Sequence, residues 1–500
     1  MRPPMALYDA TSSPVRFRNW IDGKACEAAS GGWLESVDPS RGEIWALVPD
    51  GRAADVDRAV QAARRAFRDG PWRGLTAAER ARLLRRVGDL VTAHAGELAA
   101  LESRDNGKAV RETGPEVAAV AEMFHYWAGA ADKIQGETIR VGPASFNFTL
   151  AEPIGVVGAI IPWNSPLSLF AAKVGAILAA GNTVVVKPAE EAACTSLAFA
   201  RFFEEAGFPP GVVNVVVGLG EEAGDALVRH PDVGKVTFTG ETATARKITA
   251  RSADTLKRLA FELGGKSANI VFADVDLDVA ARGAVSAVFT GGAGQTCVAG
   301  SRLLVERPIY DALLARIAKL AGEIRLGDPL DPATAMGPLA FERQYQKVVS
   351  YLELGRTEGA EIAAGGEWGA SLFEAGSPFA KGYFVRPTLF RGARNDMRIC
   401  REEIFGPVTA AIPFEGEEEA LALANDSPYG LAAGVWTRDL KRAHRMLRGL
   451  EVGIVWVNTY RRIHWSVPFG GVKQSGYGRD SGLESLRGYL QVKSGWIDLG

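Results

Sequence analysis

The chain has 500 residues, 47% of them hydrophobic and 23% charged, with 57 Lys and Arg against 59 Asp and Glu. That balance excludes a disordered chain, and at roughly 100–200 residues per domain it suggests two to four structural units. A net charge of −2 carries none of the basic excess of a nucleic-acid-binding protein.

The opening stretch MRPPMALYDATSSPVRF lacks the apolar core of an export signal, so none is expected. After a short strand region, residues 53–67 place Val56, Val60, Ala63 and Phe67 on one helical face. Thr76-Ala-Ala-Glu79 reads as a capping box ahead of Leu83, Leu84, Val87, Leu90 and Val91. A further helical period covers 117–131. From 154 the pattern alternates: strands at 154–161, 183–186, 212–217 and 233–238, helices at 167–180, 197–206 and 223–229. Such alternation predicts βαβ units and a parallel sheet. It restarts after Gly264-Gly265 with a strand at 269–272, helices at 279–289 and 310–324, and strands at 385–390 and 408–414. Residues 365–382 read as loop, and 489–500 as an edge strand. The apolar stretch 169–186 is interrupted by Lys173 and Asn182, so no membrane span is expected.

The four cysteines, Cys26, Cys194, Cys297 and Cys400, never stand at CxxC spacing. That signals neither a metal site nor a disulfide scaffold, and a cytoplasmic protein with reduced thiols is expected. Three residues invite a chemical reading. Cys297 ends Gly291-Gly-Ala-Gly-Gln-Thr-Cys297; it is either a buried core thiol or an accessible nucleophile, and its polar neighbours weigh against the core. Glu262 in Phe261-Glu-Leu-Gly-Gly-Lys266 is either a surface glutamate at a strand end or a partly desolvated base. Asn164, closing Ile160-Ile-Pro-Trp-Asn164, is either a turn residue or a donor to an oxyanion. Lys187-Pro-Ala-Glu190 directly follows Thr183-Val-Val-Val186, where an open sheet binds ligands and an acidic residue can hold ribose hydroxyls. Gly218-Leu-Gly220-Glu-Glu-Ala223 opens a helix after a strand, a weak GxGxxA signal.

Seven segments, in this order, resemble the NAD(P)-dependent aldehyde dehydrogenase superfamily across nearly the whole chain. They are Pro162-Trp-Asn164, Lys187-Pro-Ala-Glu190, Phe238-Thr-Gly240, Glu262-Leu-Gly-Gly-Lys266, Gly294-Gln-Thr-Cys297, Glu402-Glu-Ile-Phe-Gly-Pro407 and Pro468-Phe-Gly-Gly471. The resemblance implies an α/β fold with a Rossmann-type dinucleotide-binding domain from 1–132 and 153–262. It further implies an α/β catalytic domain from 263–460, and a small β oligomerisation arm from 133–152 with the C-terminal segment 461–500.

The same resemblance implies that Cys297 attacks the aldehyde, that Asn164 and the Cys297 backbone N–H hold the oxyanion, and that Glu262 activates the hydrolytic water. Lys187 and Glu190 match contacts to the adenine ribose, and Glu190 implies NAD over NADP. Glu403 and Phe405 match the nicotinamide side. Lesser cofactor contacts fall at Ile160, Ile161, Pro162, Trp163 and Ala189. Others fall at Gly220, Gly224, Thr239, Gly240, Leu263 and Gln344. Glu241 stands where the family often has a small hydroxyl residue near the pyrophosphate. It is expected to repel that group or to point to solvent. On the substrate side, Ser165 and Ala172 replace frequent aromatics and widen the tunnel, while Trp465 and Phe469 supply walls. Arg461 falls near the entrance, which suggests a bulky or anionic semialdehyde paired with Arg461. The implied partners are a small aldehyde and copies of the chain, as a homodimer or homotetramer, with no nucleic acid, membrane or metal. The competing readings are a scaffold that retains the fold, or a dehydrogenase that prefers NADP or acylates coenzyme A.

Overall fold

The computed structural model describes residues 7–8 and 13–500; the rest of the opening segment, where no export signal is expected, lies outside them. Helix Ala53–Arg68 buries Val56, Val60 and Ala63 on the face its spacing defines. The next helix, Ala77–Ala93, starts at the capping box, where Thr76 Oγ1 accepts from the Glu79 backbone N–H at 3.3 Å and Glu79 Oε2 accepts from that of Thr76 at 2.8 Å. Each bond satisfies an N–H that a helix start would otherwise leave open.

Five parallel strands form the centre of an eight-stranded sheet, in the order Arg258–Leu263, Val233–Gly240, Val156–Ile161, Thr183–Pro188, Val213–Val215. Their near-continuous Val and Ile content fits a sheet covered on both faces. Alternate residues point opposite ways. Val184 and Val186 join a core with helices Ala77–Ala93, Val110–Ala130, Pro166–Ala179 and Cys194–Glu205. Val185 joins another with helices Ala53–Arg68, Asp225–Arg229 and Thr242–Ser252. The chain leaves Val156–Ile161 outward to one side, then returns to place Val233–Gly240 on the other. This reversal opens a crevice at the carboxyl ends of the strands.

A seven-stranded sheet holds a third core. Its order is Glu361–Ala364, Thr388–Arg391, Val408–Phe414, Arg302–Glu306, Ala268–Val271, Ala432–Trp436, Ile454–Val457, and all its pairs but the first are parallel. A separate ribbon forms where Ser145–Pro153 pairs antiparallel with Leu490–Asp498 and Thr138–Ile139.

The structure departs from the sequence expectations in several places. The expected helix 223–229 begins as a π turn, Gly220–Gly224, before Asp225–Arg229. The strand expected at 385–390 runs from Thr388 to Arg391. The segment 461–500 does not stay together in the arm. Gly476–Tyr477 pairs with Arg258–Leu263 at the edge of the first sheet, Leu486 and Tyr489 enter the first core, and only Leu490–Asp498 reaches the ribbon.

Candidate active site

Asn164 follows strand Val156–Ile161 and immediately precedes the Ser165 cap of helix Pro166–Ala179, whose first residue is a proline already fixed near helical φ. Its Nδ2 donates to the carbonyl of Gln295 at 2.9 Å, which brings it to the segment that carries Cys297. That segment lies between helix Leu277–Val288 and strand Arg302–Glu306. Gly292, Ala293 and Gly294 all have positive φ, at 63°, 53° and 74°. Glycine adopts this conformation without the Cβ penalty. A Cβ on Gly294 would also collide with the Gly406 carbonyl. Gln295 braces the turn: its Nε2 donates to Gly292 O at 2.8 Å and its Oε1 accepts from Ala340 N at 2.9 Å. Cys297 therefore emerges on a tightly wound segment, half-buried.

Burial pushes the Cys297 thiol up to about 12, with further upward pressure from the charges of Glu403 and Glu262. Little thiolate exists at neutral pH, so attack requires a base or a change in those charges. Glu262 is the penultimate residue of strand Arg258–Leu263 and 6% exposed. Neither of its carboxylate oxygens has a hydrogen-bond partner among the described residues. Burial holds its carboxyl well above the usual range, and the charge of Asp480 adds to this. Beneath it Lys173, fully buried, donates to Asp480 Oδ2 at 2.7 Å and Thr237 Oγ1 at 3.1 Å. The sequence reading noticed Lys173 only as a charge inside an apolar run, and missed Asp480.

The residues matched to a dinucleotide gather at the same strand ends. Lys187 Nζ donates to Glu190 Oε2 at 2.8 Å, fixing that carboxylate just past strand Thr183–Pro188. Ile160 and Ile161 lie beside Lys187 and Pro188 in register, Ile161 O accepts from Ala189 N at 3.0 Å, and Pro162 follows them, half-buried. Thr239 Oγ1, beside Gly240 at the end of the neighbouring strand, is buried with no hydrogen-bond partner among the described residues. Gly220 and Gly224 have open space where side chains would stand. Together they offer an unsatisfied hydroxyl, a held acid and bare backbone, which fits a dinucleotide.

Deeper in, Glu403 Oε1 accepts from Gly265 N at 2.9 Å, and burial raises its carboxyl to about 7. Phe405, at φ 60°, meets Trp163 edge-on at 5.2 Å, while Gln344 Nε2 donates to Phe405 O at 2.7 Å. The backbone N–H of Leu263 donates to Ser475 O at 3.0 Å. Glu241 is exposed at the start of helix Thr242–Ser252, with no capping bond from its side chain, yet its charge reaches Glu403.

Of the residues expected on the substrate side, Ser165 Oγ accepts from Lys108 Nζ at 2.8 Å, and Lys108 also pairs with Glu116 at 2.6 Å. Ala172 is buried. Trp465 stacks on His464 with centroids 4.1 Å apart, and Phe469 exchanges both backbone hydrogen bonds with Asp480. Sequence reasoning passed over Lys108 and Glu116. Arg461 does not stand free at the mouth. Its Nη1 donates to the carbonyls of Thr290 at 2.9 Å and Ser286 at 3.1 Å. Among the described residues no group of His, Cys, Asp and Glu could hold a metal ion, and no helix is long and apolar enough to cross a membrane.

Comparison with known proteins agrees with this geometry. The sequence profile of the aldehyde dehydrogenase family matches residues 26–495. The chain is 45% identical over 484 residues to the (Z)-2-((N-methylformamido)methylene)-5-hydroxybutyrolactone dehydrogenase of Acinetobacter baylyi, covering 96% of this chain and 97% of that protein. It is 44% identical over 479 residues to aldehyde dehydrogenase family 2 member C4 of Arabidopsis thaliana, covering 95% and 93%. The NAD+ complex of an aldehyde dehydrogenase from Bacillus cereus superposes with a TM-score of 0.94 at 44% identity, covering 97% of each chain.

Proposed function

This chain belongs to the aldehyde dehydrogenase family, and we propose that it oxidises an aldehyde to a carboxylic acid with NAD, through a covalent adduct on Cys297. The reading is carried by the convergence of three groups. Asn164 bonds to the carbonyl two residues before the thiol, and the charge of Glu262 reaches the thiol itself. In this scheme the ionised Glu262 takes the proton of the Cys297 thiol and passes it to solvent, the sulfur attacks the aldehyde carbon, and the carbonyl oxygen becomes an oxyanion. The second Nδ2 proton of Asn164 and the Cys297 backbone N–H hold that charge. Bound NAD supplies the acceptor for the hydride that the adduct's carbon must lose. The resulting thioester is opened by water whose proton passes to Glu262, and the sulfur leaves as the acid is released. Glu262 suits that step because burial raises the proton affinity of its carboxyl, so the ionised form is a stronger base than an exposed glutamate. A base poised there favours water as acceptor over coenzyme A.

Glu190, held by Lys187, hydrogen-bonds the adenine ribose hydroxyls and repels a 2′-phosphate, so NAD is preferred over NADP. Glu403 and Phe405 border the nicotinamide end. The substrate is a bulky, polar aldehyde. The small Ser165 and Ala172 leave width, and Lys108 brings a cation to the Ser165 hydroxyl. The related Acinetobacter enzyme is named for a hydroxylated lactone, which is also polar. The chain works as a homodimer or homotetramer through the ribbon Ser145–Pro153 with Leu490–Asp498, where Val492 and Trp496 are 74% and 66% exposed. Four free cysteines among the described residues suit the cytoplasm. The test is NADH formation across aliphatic, aromatic and carboxylate-bearing aldehydes with NAD and NADP. Turnover with NAD supports the reading, and a folded, NAD-binding protein that oxidises none of them returns the scaffold alternative.

A further inference from the structure

We propose that Arg461 and Glu112 are positioning residues that together brace the glycine segment 290–294, and so present Cys297. The inference rests on Cys297 being the nucleophile. Arg461 adopts a φ of 57°, a left-handed conformation that an arginine rarely holds without a structural reason. In it, Nη1 reaches the carbonyls of Ser286 and Thr290. These carbonyls lie at the end of helix Leu277–Val288 and at the residue before Gly291. A Cβ on Gly291 would overlap that same nitrogen, so the absence of a side chain there makes room for the guanidinium.

Glu112 Oε2 accepts from the backbone N–H of Gly292 at 2.6 Å. Burial raises the Glu112 carboxyl and Glu116 adds to this, while the Gly292 N–H and the charges of Lys108 and Arg461 oppose it. The bonds continue inward: Gly292 O accepts from Gln295 Nε2, and Gln295 O accepts from Asn164 Nδ2. A polar relay thus runs from the surface loop at 461 to the residues flanking the thiol. A side chain held this way by main-chain carbonyls serves the loop before any substrate.

The competing role, pairing with a substrate carboxylate, gives different kinetics. The experiment measures alkylation of Cys297 by iodoacetamide, read by peptide mass spectrometry. It also measures kcat and KM for an aliphatic aldehyde and its ω-carboxylate analogue, in wild type, Arg461→Ala, Glu112→Ala and Glu112→Gln. Both alanine variants are expected to lose about tenfold or more in alkylation rate and in kcat, equally for the two aldehydes. Glu112→Gln, whose amide oxygen still accepts from Gly292, is expected to recover most of the loss. A KM increase confined to the carboxylate-bearing aldehyde, with alkylation unchanged, would overturn the proposal. So would a Glu112→Gln variant as impaired as Glu112→Ala. If the wild type oxidises neither aldehyde, the dehydrogenase reading fails on its own account, and the alkylation rates still decide the brace.

Discussion

The side-chain amide of Asn164 donates to the carbonyl of Gln295 at 2.9 Å, joining the end of a strand in the first sheet to the segment that bears Cys297. One amide proton is engaged there, and in the proposed scheme the other holds the oxyanion. Replacing Asn164 by Ala removes both the donor and the tie. A fall in kcat of about 10²–10³ is expected, with a smaller change in KM. Steady-state NADH formation measures it, and a loss confined to KM would assign Asn164 to ground-state binding.

The thiol supplies a second expectation. With Cys297 pushed up to about 12, its alkylation rate in the free protein should climb roughly tenfold per pH unit from 7 to 10 without a plateau. Glu403 is the charge that contributes most to this elevation, and its own carboxyl is raised to about 7. Removing a negative charge eases formation of another, so Glu403→Gln should move the profile to lower pH, with the difference growing above pH 7. An unchanged profile in Glu403→Gln would show that burial alone sets the thiol.

Lys173 and Asp480 form a buried pair beneath Glu262. The Asp480 charge raises the Glu262 carboxyl, so Asp480→Asn should lower it. The acidic limb of the kcat profile then moves to lower pH wherever hydrolysis of the thioester limits the rate. The same substitution leaves the Lys173 ammonium buried without its counter-ion, at a cost on the order of 3 kcal/mol of stability. Stopped-flow kinetics against pH and thermal unfolding read the two effects separately.

The ribbon strand Leu490–Asp498 turns Trp496 and Val492 outward. Apolar area of that kind is stable in water when a second copy covers it. Sedimentation of the wild type as a dimer or tetramer is expected, with Trp496→Glu shifting it to smaller species. A monomeric wild type would contradict the assembly.

Much of this was legible in the sequence, because the site sits at strand ends and strands of Val and Ile announce themselves. Asn164, Glu190, Thr239 and Glu262 all close or directly follow such runs. Helix Glu342–Thr357 escaped notice because its buried positions include Gln344 and Gly355, which thin the apolar period. Lys173 and Asp480 meet across 307 residues of chain, a distance that local pattern does not span. In the sequence, a charge near the entrance suggests a ligand for Arg461. Its partners are backbone carbonyls, which carry no mark in a sequence, and the vacancy at Gly291 that admits it is visible only in three dimensions. The splitting of the C-terminal segment between sheet, core and ribbon has the same origin, since strand pairing is a tertiary choice.

In the proposed reaction, aldehyde oxidation proceeds through an acyl group on Cys297 that Glu262 helps to hydrolyse. Glu262→Gln should trap it. Mixed with a turned-over aldehyde and NAD, this variant should give about one NADH per site in a burst. Intact-protein mass spectrometry should then find the acyl mass, localised to the peptide containing Cys297. A burst without an adduct, an adduct on another residue, or undiminished steady turnover in the variant would contradict the account.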